Sequence, residues 1–259
     1  MSVAADARVV DPAALEESSG YPLAHCSATG EVRFRFERPD GFAQWVLTAT
    51  LRAGAVLKWG VAHGDEAVYV VEGELAVGAG RACAGGAVII ESDTATELRA
   101  ISHSRIVHVG SDSDALVEAR PLGLPAARGR GVHLLEPTGI RALGTNATAR
   151  STVAYFANGK CPSCRIMLYR VQSEGDTRSH VHTQPQLQHV LSGTIGIGGF
   201  TVSKGMTFAV PAGYRYGYRA EGPWELLVYR PDLSMMRYKP QEDLVDEGGA
   251  FSEAPPWAS

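Results

Sequence analysis

The stretch from residue 60 to residue 110 returns 120 residues downstream, at 180–230, without a gap. In that register Val61 meets Val181 and Val70 meets Val190, while Gly73, Gly78 and Gly85 meet Gly193, Gly198 and Gly205. The apolar pairs Leu75/Ile195, Val88/Phe208, Ile90/Val210 and Ile106/Leu226 hold the same register. Glycines that coincide at the ends of short apolar runs mark turns whose backbone disfavours a side chain. A chain repeated in this way folds one unit twice. At 259 residues it has room for two small domains in tandem.

Both units read as β-structure. Val32, Phe34 and Phe36 alternate with Arg33, Arg35 and Glu37, the pattern of a half-buried strand. Strand-like runs follow at 43–51, 67–71, 74–78, 87–90 and 105–109, and again at 164–172, 187–191, 194–198, 206–210 and 224–229. No segment keeps a 3.6-residue period, so an all-β barrel or sandwich is expected. The expected division is an N-terminal arm over 1–30, a first barrel over 31–112, a linker over 113–150, a second barrel over 151–231 and a tail over 232–259. Met235, Met236, Tyr238 and Trp257 predict that the tail wraps back onto the body.

Candidate metal ligands are concentrated in the second copy. His180 and His182 are two apart and share one face of a strand. Gln186 enters the next strand, and a short loop brings it opposite the two histidines. Two imidazoles and a side-chain oxygen suit one divalent metal, with Fe, Mn, Ni and Zn among the candidates. By parity Gln188 points inward with Gln186, whereas His189 faces the surface or an interface. Tyr214, Tyr216 and Tyr218 share a face at the barrel mouth, as pocket lining or apolar filling. Arg178 and Arg170 are either carboxylate clamps or solvated surface arginines. The first copy has Gly60 and Ala62 where the histidines stand, keeps Glu66, and sets His63 one step out of phase. That barrel reads as structural, with His103 and His108 as ordinary strand or loop histidines.

The run Gly175 to Gly193 resembles the first motif of the cupin superfamily: glycine, five residues, His-x-His, three or four residues, glutamate, six residues, glycine. Gln186 takes the glutamate place, and Gly175 sits one residue nearer than the pattern asks. The run Gly205-Met-Thr-Phe-Ala-Val-Pro211-Ala-Gly213-Tyr-Arg-Tyr216 resembles the second motif, with Tyr216 in place of its final histidine. The resemblance implies a bicupin, two tandem double-stranded β-helix (jelly-roll) barrels of which the N-terminal one is degenerate. It further implies a metal held by His180, His182 and Gln186, with Tyr216 as a ligand, a general acid or base, or packing. Gln188, Tyr214, Tyr218 and Arg178 become candidate substrate contacts, and a homodimer covering exposed strand edges is plausible for this family.

Three functional classes follow from that resemblance. The leading expectation is an oxygen-dependent dioxygenase acting on a small metabolite. The second is a non-redox hydrolase, lyase or isomerase, similar in architecture to the bicupin ureidoglycine aminohydrolases but mismatched at His180, Gln186 and Tyr216. The third is a metabolite-binding cupin without catalysis. A net charge of −4 gives no pull toward nucleic acid or an anionic membrane. No apolar run is long enough for a membrane span, and residues 1–20 lack a secretory pattern, so the expected compartment is the cytoplasm. Cys161 and Cys164 have ligand-like spacing but no partner set, and read as two thiols on a hairpin or strand edge.

Overall fold

The repeated segments fold into matching strands. Glu66–Glu72, Glu74–Val77, Gly80–Cys83 and Ala87–Ile90 recur as Gln186–Ser192, Thr194–Ile197, Phe200–Ser203 and Thr207–Val210. The shared glycines explain the shared register. Gly73 has φ 87° and Gly193 φ 79°, a backbone open to glycine at little cost. A Cβ at Gly73 would strike the His103 carbonyl, and one at Gly193 the Pro223 carbonyl. Both tight turns therefore require the residue they have. The structure, a computed structural model, describes residues 7–112, 131–136, 142–145, 151–158, 164, 166–231, 235–237 and 245–246.

The first barrel pairs two antiparallel sheets. One has six strands in the order Val132–Leu135, Ala87–Ile90, Glu66–Glu72, Ser104–Ser111, Gln44–Leu51 and Val32–Glu37. The other has five: Cys26–Thr29, Val56–Trp59, Thr96–Ala100, Glu74–Val77 and Gly80–Cys83. The second barrel has a seven-stranded sheet ordered Arg8–Val10, Thr207–Val210, Gln186–Ser192, Pro223–Arg230, Met167–Glu174, Ser151–Asn158 and Ala142–Thr145. Facing it are Phe200–Ser203, Thr194–Ile197 and Tyr218–Arg219. Among the described residues the helical element is a 3₁₀ turn, Pro12–Ala14, capped by Asp11.

The chain crosses between barrels more than the sequence suggests. Arg8–Val10, from the expected arm, pairs with Thr207–Val210 and closes the edge of the second barrel's sheet. Val132–Leu135, from the expected linker, pairs with Ala87–Ile90 and closes the first barrel's sheet. Ala142–Thr145, also from that linker, is a further strand of the second barrel. In the tail, Met235–Arg237 pairs with Val181–His182, so that segment does fold back. Tyr238 and Trp257 lie outside the described residues.

Strand parity sorts the core into three layers. Inward residues such as Leu47, Val68, Val88 and Ile106 fill the first barrel. Val190, Phe208, Leu226 and Val228 fill the second. The opposite faces of the same strands meet between the barrels, where Tyr69, Ile89 and Val107 pack with Leu168, Leu187, Leu227 and Tyr229. That middle layer makes the outer face of each large sheet apolar, so these strands lose the simple in/out alternation.

Candidate functional site

In the second barrel, parity delivers Gln186, Gln188 and Tyr218 to the interior as expected, all buried with Tyr216. Gln186 and Gln188 lie on Gln186–Ser192, and a backbone bridge joins His180 to Tyr216. Their side chains form one network. The Gln186 and Gln188 Nε2 groups donate to the Tyr216 hydroxyl oxygen at 2.6 and 3.0 Å. The Tyr218 hydroxyl donates to Gln188 Oε1 at 2.6 Å. Burial, reinforced by the neighbouring Tyr216, pushes the Tyr218 pKa well up, so it remains a neutral donor.

The centre of this network is a residue that the motif reading passed over. Arg230 ends the strand Pro223–Arg230 and is fully buried. Its Nε and Nη2 donate to Gln186 Oε1 at 3.0 and 2.8 Å. Its Nη2 lies 3.2 Å from His182 Nε2, and Nη1 lies 3.6 Å from Met167 Sδ. The guanidinium carbon sits 5.2 Å from the Tyr169 ring centroid, a cation–π contact. Parity was the signal that could have found it, since Arg230 shares an inward face with Leu226 and Val228.

These contacts decide the fit of a metal. A guanidinium only donates, so the His182 Nε2 facing it must be the unprotonated, accepting nitrogen. The lone pair of His182 and the oxygen of Gln186, the two atoms expected to bind a divalent ion, are turned toward a permanent cation. The donor set does not fit a metal at His180, His182 and Gln186. Among the described residues no group of three or more His, Cys, Asp or Glu is placed to hold a metal ion.

The remaining candidates lie further out. His180 Nδ1 is 2.8 Å from the Arg178 carbonyl, and its ring packs 4.5 Å from Tyr216 between centroids. Arg178 is exposed and Tyr214 half-buried at the mouth. Arg170 pairs with Glu225 at 3.1 Å. His189 is buried against Thr207, with Nδ1 3.0 Å from its hydroxyl, and burial pushes its pKa down to about 4. Cys164 is buried between the barrels, and Cys161 lies outside the described residues.

The first barrel is not filled by apolar side chains alone. Glu66, in the register place of Gln186, is buried at its centre. Trp59 Nε1 donates to Glu66 Oε2 at 2.8 Å, and His108 Nε2 meets the same oxygen at 2.8 Å. The Tyr21 hydroxyl lies 2.8 Å from His108 Nδ1. On the other oxygen, His25 Nε2 pairs with Oε1 at 2.6 Å. Burial raises the Glu66 pKa, but hydrogen bonds and charge from His108 and His25 outweigh it and hold the carboxyl well below the usual range. His108, in the strand Ser104–Ser111, thus holds Glu66 within the first barrel, and His63 is buried 4.0 Å from Glu66. His103 is an exposed loop histidine.

No family model matches the chain, and no curated protein matches it in sequence. Solved structures match its fold. An oxalate decarboxylase of Bacillus subtilis superposes with a TM-score of 0.66 at 12% identity, over 86% of this chain and 77% of that one. A glyoxylate-induced protein of Pseudomonas aeruginosa gives 0.66 at 16% identity, over 86% and 87%. The fold is a tandem pair of cupin barrels. A formate complex of the Lactobacillus farciminis oxalate decarboxylase agrees, at 0.66 and 10% identity over 86% of each chain. The Bacillus subtilis oxalate decarboxylase is described with Mn(II) centres. At these identities the likeness carries the cupin fold and not the site. Among the described residues no helix is long and apolar enough to cross a membrane.

Proposed function

We propose that this bicupin binds a small carboxylate in its second barrel, using the Arg230 guanidinium where other cupins use a metal. The observation that carries the reading is Arg230 itself, held by Gln186 and His182 at the barrel centre. A guanidinium is suited to a carboxylate by charge and by its paired N–H geometry. Tyr216, Gln188 and Tyr218 would orient the remainder of the ligand, with Tyr214 and Arg178 at the mouth. Oxalate, formate and glyoxylate, the small acids named with proteins of similar fold, are the ligands to try first.

Calorimetric titration of chelator-treated protein with these three acids tests the reading. Saturable binding without added metal, weakened at least about tenfold by Arg230→Met, is the expected result. Binding that depends on added Mn(II) would sink it.

A second reading has its own support. Two amide N–H groups converge on the Tyr216 oxygen and fix the phenol in place, which suits a hydroxyl positioned to pass a proton to a bound ligand. In that case the protein is a metal-independent enzyme of the non-redox class, and Tyr216→Phe removes turnover while leaving ligand binding in place.

A further inference from the structure

The barrels leave a cleft between them on the side where the N-terminal arm passes from one to the other. Arg8–Val10 of that arm pairs with the second barrel, and Ser18 bridges to Phe34 of the first. About 410 Å³ of space opens there. The first barrel lines it with Arg33 and Arg35 from Val32–Glu37 and Arg105 from Ser104–Ser111. The second barrel lines it with His189 from Gln186–Ser192 and with Lys204. Val71, Val107 and Leu191 carry the apolar layer between the barrels into this space.

Three of these polar side chains keep open donors. His189 is only 6% exposed, and its Nδ1 meets the Thr207 hydroxyl at 3.0 Å. Its Nε2 has no hydrogen-bond partner among the described residues. A Thr207 hydroxyl donating to Nδ1 leaves the ring proton on Nε2, a donor for whatever enters the cleft. The guanidinium of Arg35 has five N–H donors. Its Nη1 reaches Glu17 Oε1 at 3.5 Å, and its Nε is buried with no hydrogen-bond partner. Lys204 is exposed and has no ion-pair partner among the described residues. Arg33 and Arg105 are engaged, by Glu17 at 3.3 Å and by Glu72 at 3.0 Å.

Charge and shape narrow the ligand. Four cations line the cleft with two carboxylates, Asp11 and Glu17, and Glu72 offsets Arg105. An excess of about one positive charge remains, on a chain whose net charge is −4. That excess matches a singly charged acid better than a phosphate dianion, and a guanidinium fork matches a planar carboxylate. The volume lies within the range of small-molecule clefts, about 300–1,000 Å³.

We propose that this cleft is a second ligand site, for a small monocarboxylic acid with an apolar body such as an aromatic ring. Arg35 and His189 Nε2 donate to the carboxylate, Lys204 adds charge, and Val71, Val107 and Leu191 cover the ring. The site is separate from that of Arg230, because His189 lies on the opposite face of the strand that turns Gln186 and Gln188 into the second barrel.

Benzoate is titrated into full-length protein while the His189 ring signals are followed by heteronuclear NMR. Benzyl alcohol has the ring without the charge and acetate the charge without the ring, so both are controls. The expected result is a saturable shift of the His189 signals with benzoate, and binding at least about tenfold weaker with either control. Arg35→Gln and Lys204→Gln should each weaken benzoate binding by at least about fivefold. Neither residue lies in a barrel interior, so both variants keep the fold and test the site directly. No saturable shift of His189, an equal response to either control, or unchanged affinity in Arg35→Gln would overturn the proposal.

Discussion

At the scale of single residues, this protein turns on two substitutions of charge. Arg230 places a cation where His182 and Gln186 would otherwise receive one, and Glu66 is an anion ringed by imidazoles. Elemental analysis of tag-free protein should accordingly find no stoichiometric transition metal, and His182→Ala should leave that content unchanged. One metal per chain, lost in the variant, would contradict the Arg230 argument. His189 gives a pH prediction. Its folded pKa near 4 lies below the ordinary 6.5, so between those values the unfolded chain binds more protons than the folded one. Its contribution is complete above about pH 6.5 and is lost as pH falls toward 4, by up to roughly 3 kcal/mol. In His189→Gln the dependence of the melting temperature on pH over that interval should flatten.

At the scale of elements, the turns hold the register that the site depends on. Gly193 ends the strand that presents Gln186 and Gln188, and its positive φ leaves no room for a Cβ beside Pro223 and Trp224. Gly193→Ala should cost roughly 1–3 kcal/mol in denaturant unfolding, from strain and crowding together. Gly73→Ala should cost a similar amount, because the same turn recurs with the same obstruction. Gly199→Ala tests a different case: positive φ with nothing within reach of a Cβ. It should cost less than either, and a larger loss there would count against crowding as the cause.

At the scale of the molecule, the two barrels are bound by their middle layer and by the exchanged edge strands. Leu168, Leu187, Leu227 and Tyr229 bury the second barrel's outer face against Tyr69, Ile89 and Val107 of the first. Arg8–Val10 completes the second barrel from the opposite end of the chain. Thermal unfolding should therefore be one cooperative transition, with calorimetric and van't Hoff enthalpies in agreement. Leu227→Ala should lower that single transition by about 2–5 kcal/mol of stability, the usual range for a buried leucine. Two resolved transitions would show that the barrels unfold separately.

The sequence by itself determined the repeat, the strand positions and the inward or outward face of most of their residues, because those follow from a two-residue period and from glycines at fixed turns. It placed Gln186, Gln188 and Tyr218 together correctly for that reason. The crossing of Arg8–Val10 and Val132–Leu135 between barrels was not legible, since strand pairing over such separations leaves no local pattern. Nor was the meeting of Arg230 with His182 and Gln186, or of His25 and His108 with Glu66. Parity says which way a side chain points, but only the closure of the barrel decides which inward side chains touch. That closure is what set a guanidinium in the place where the motif led us to expect a metal.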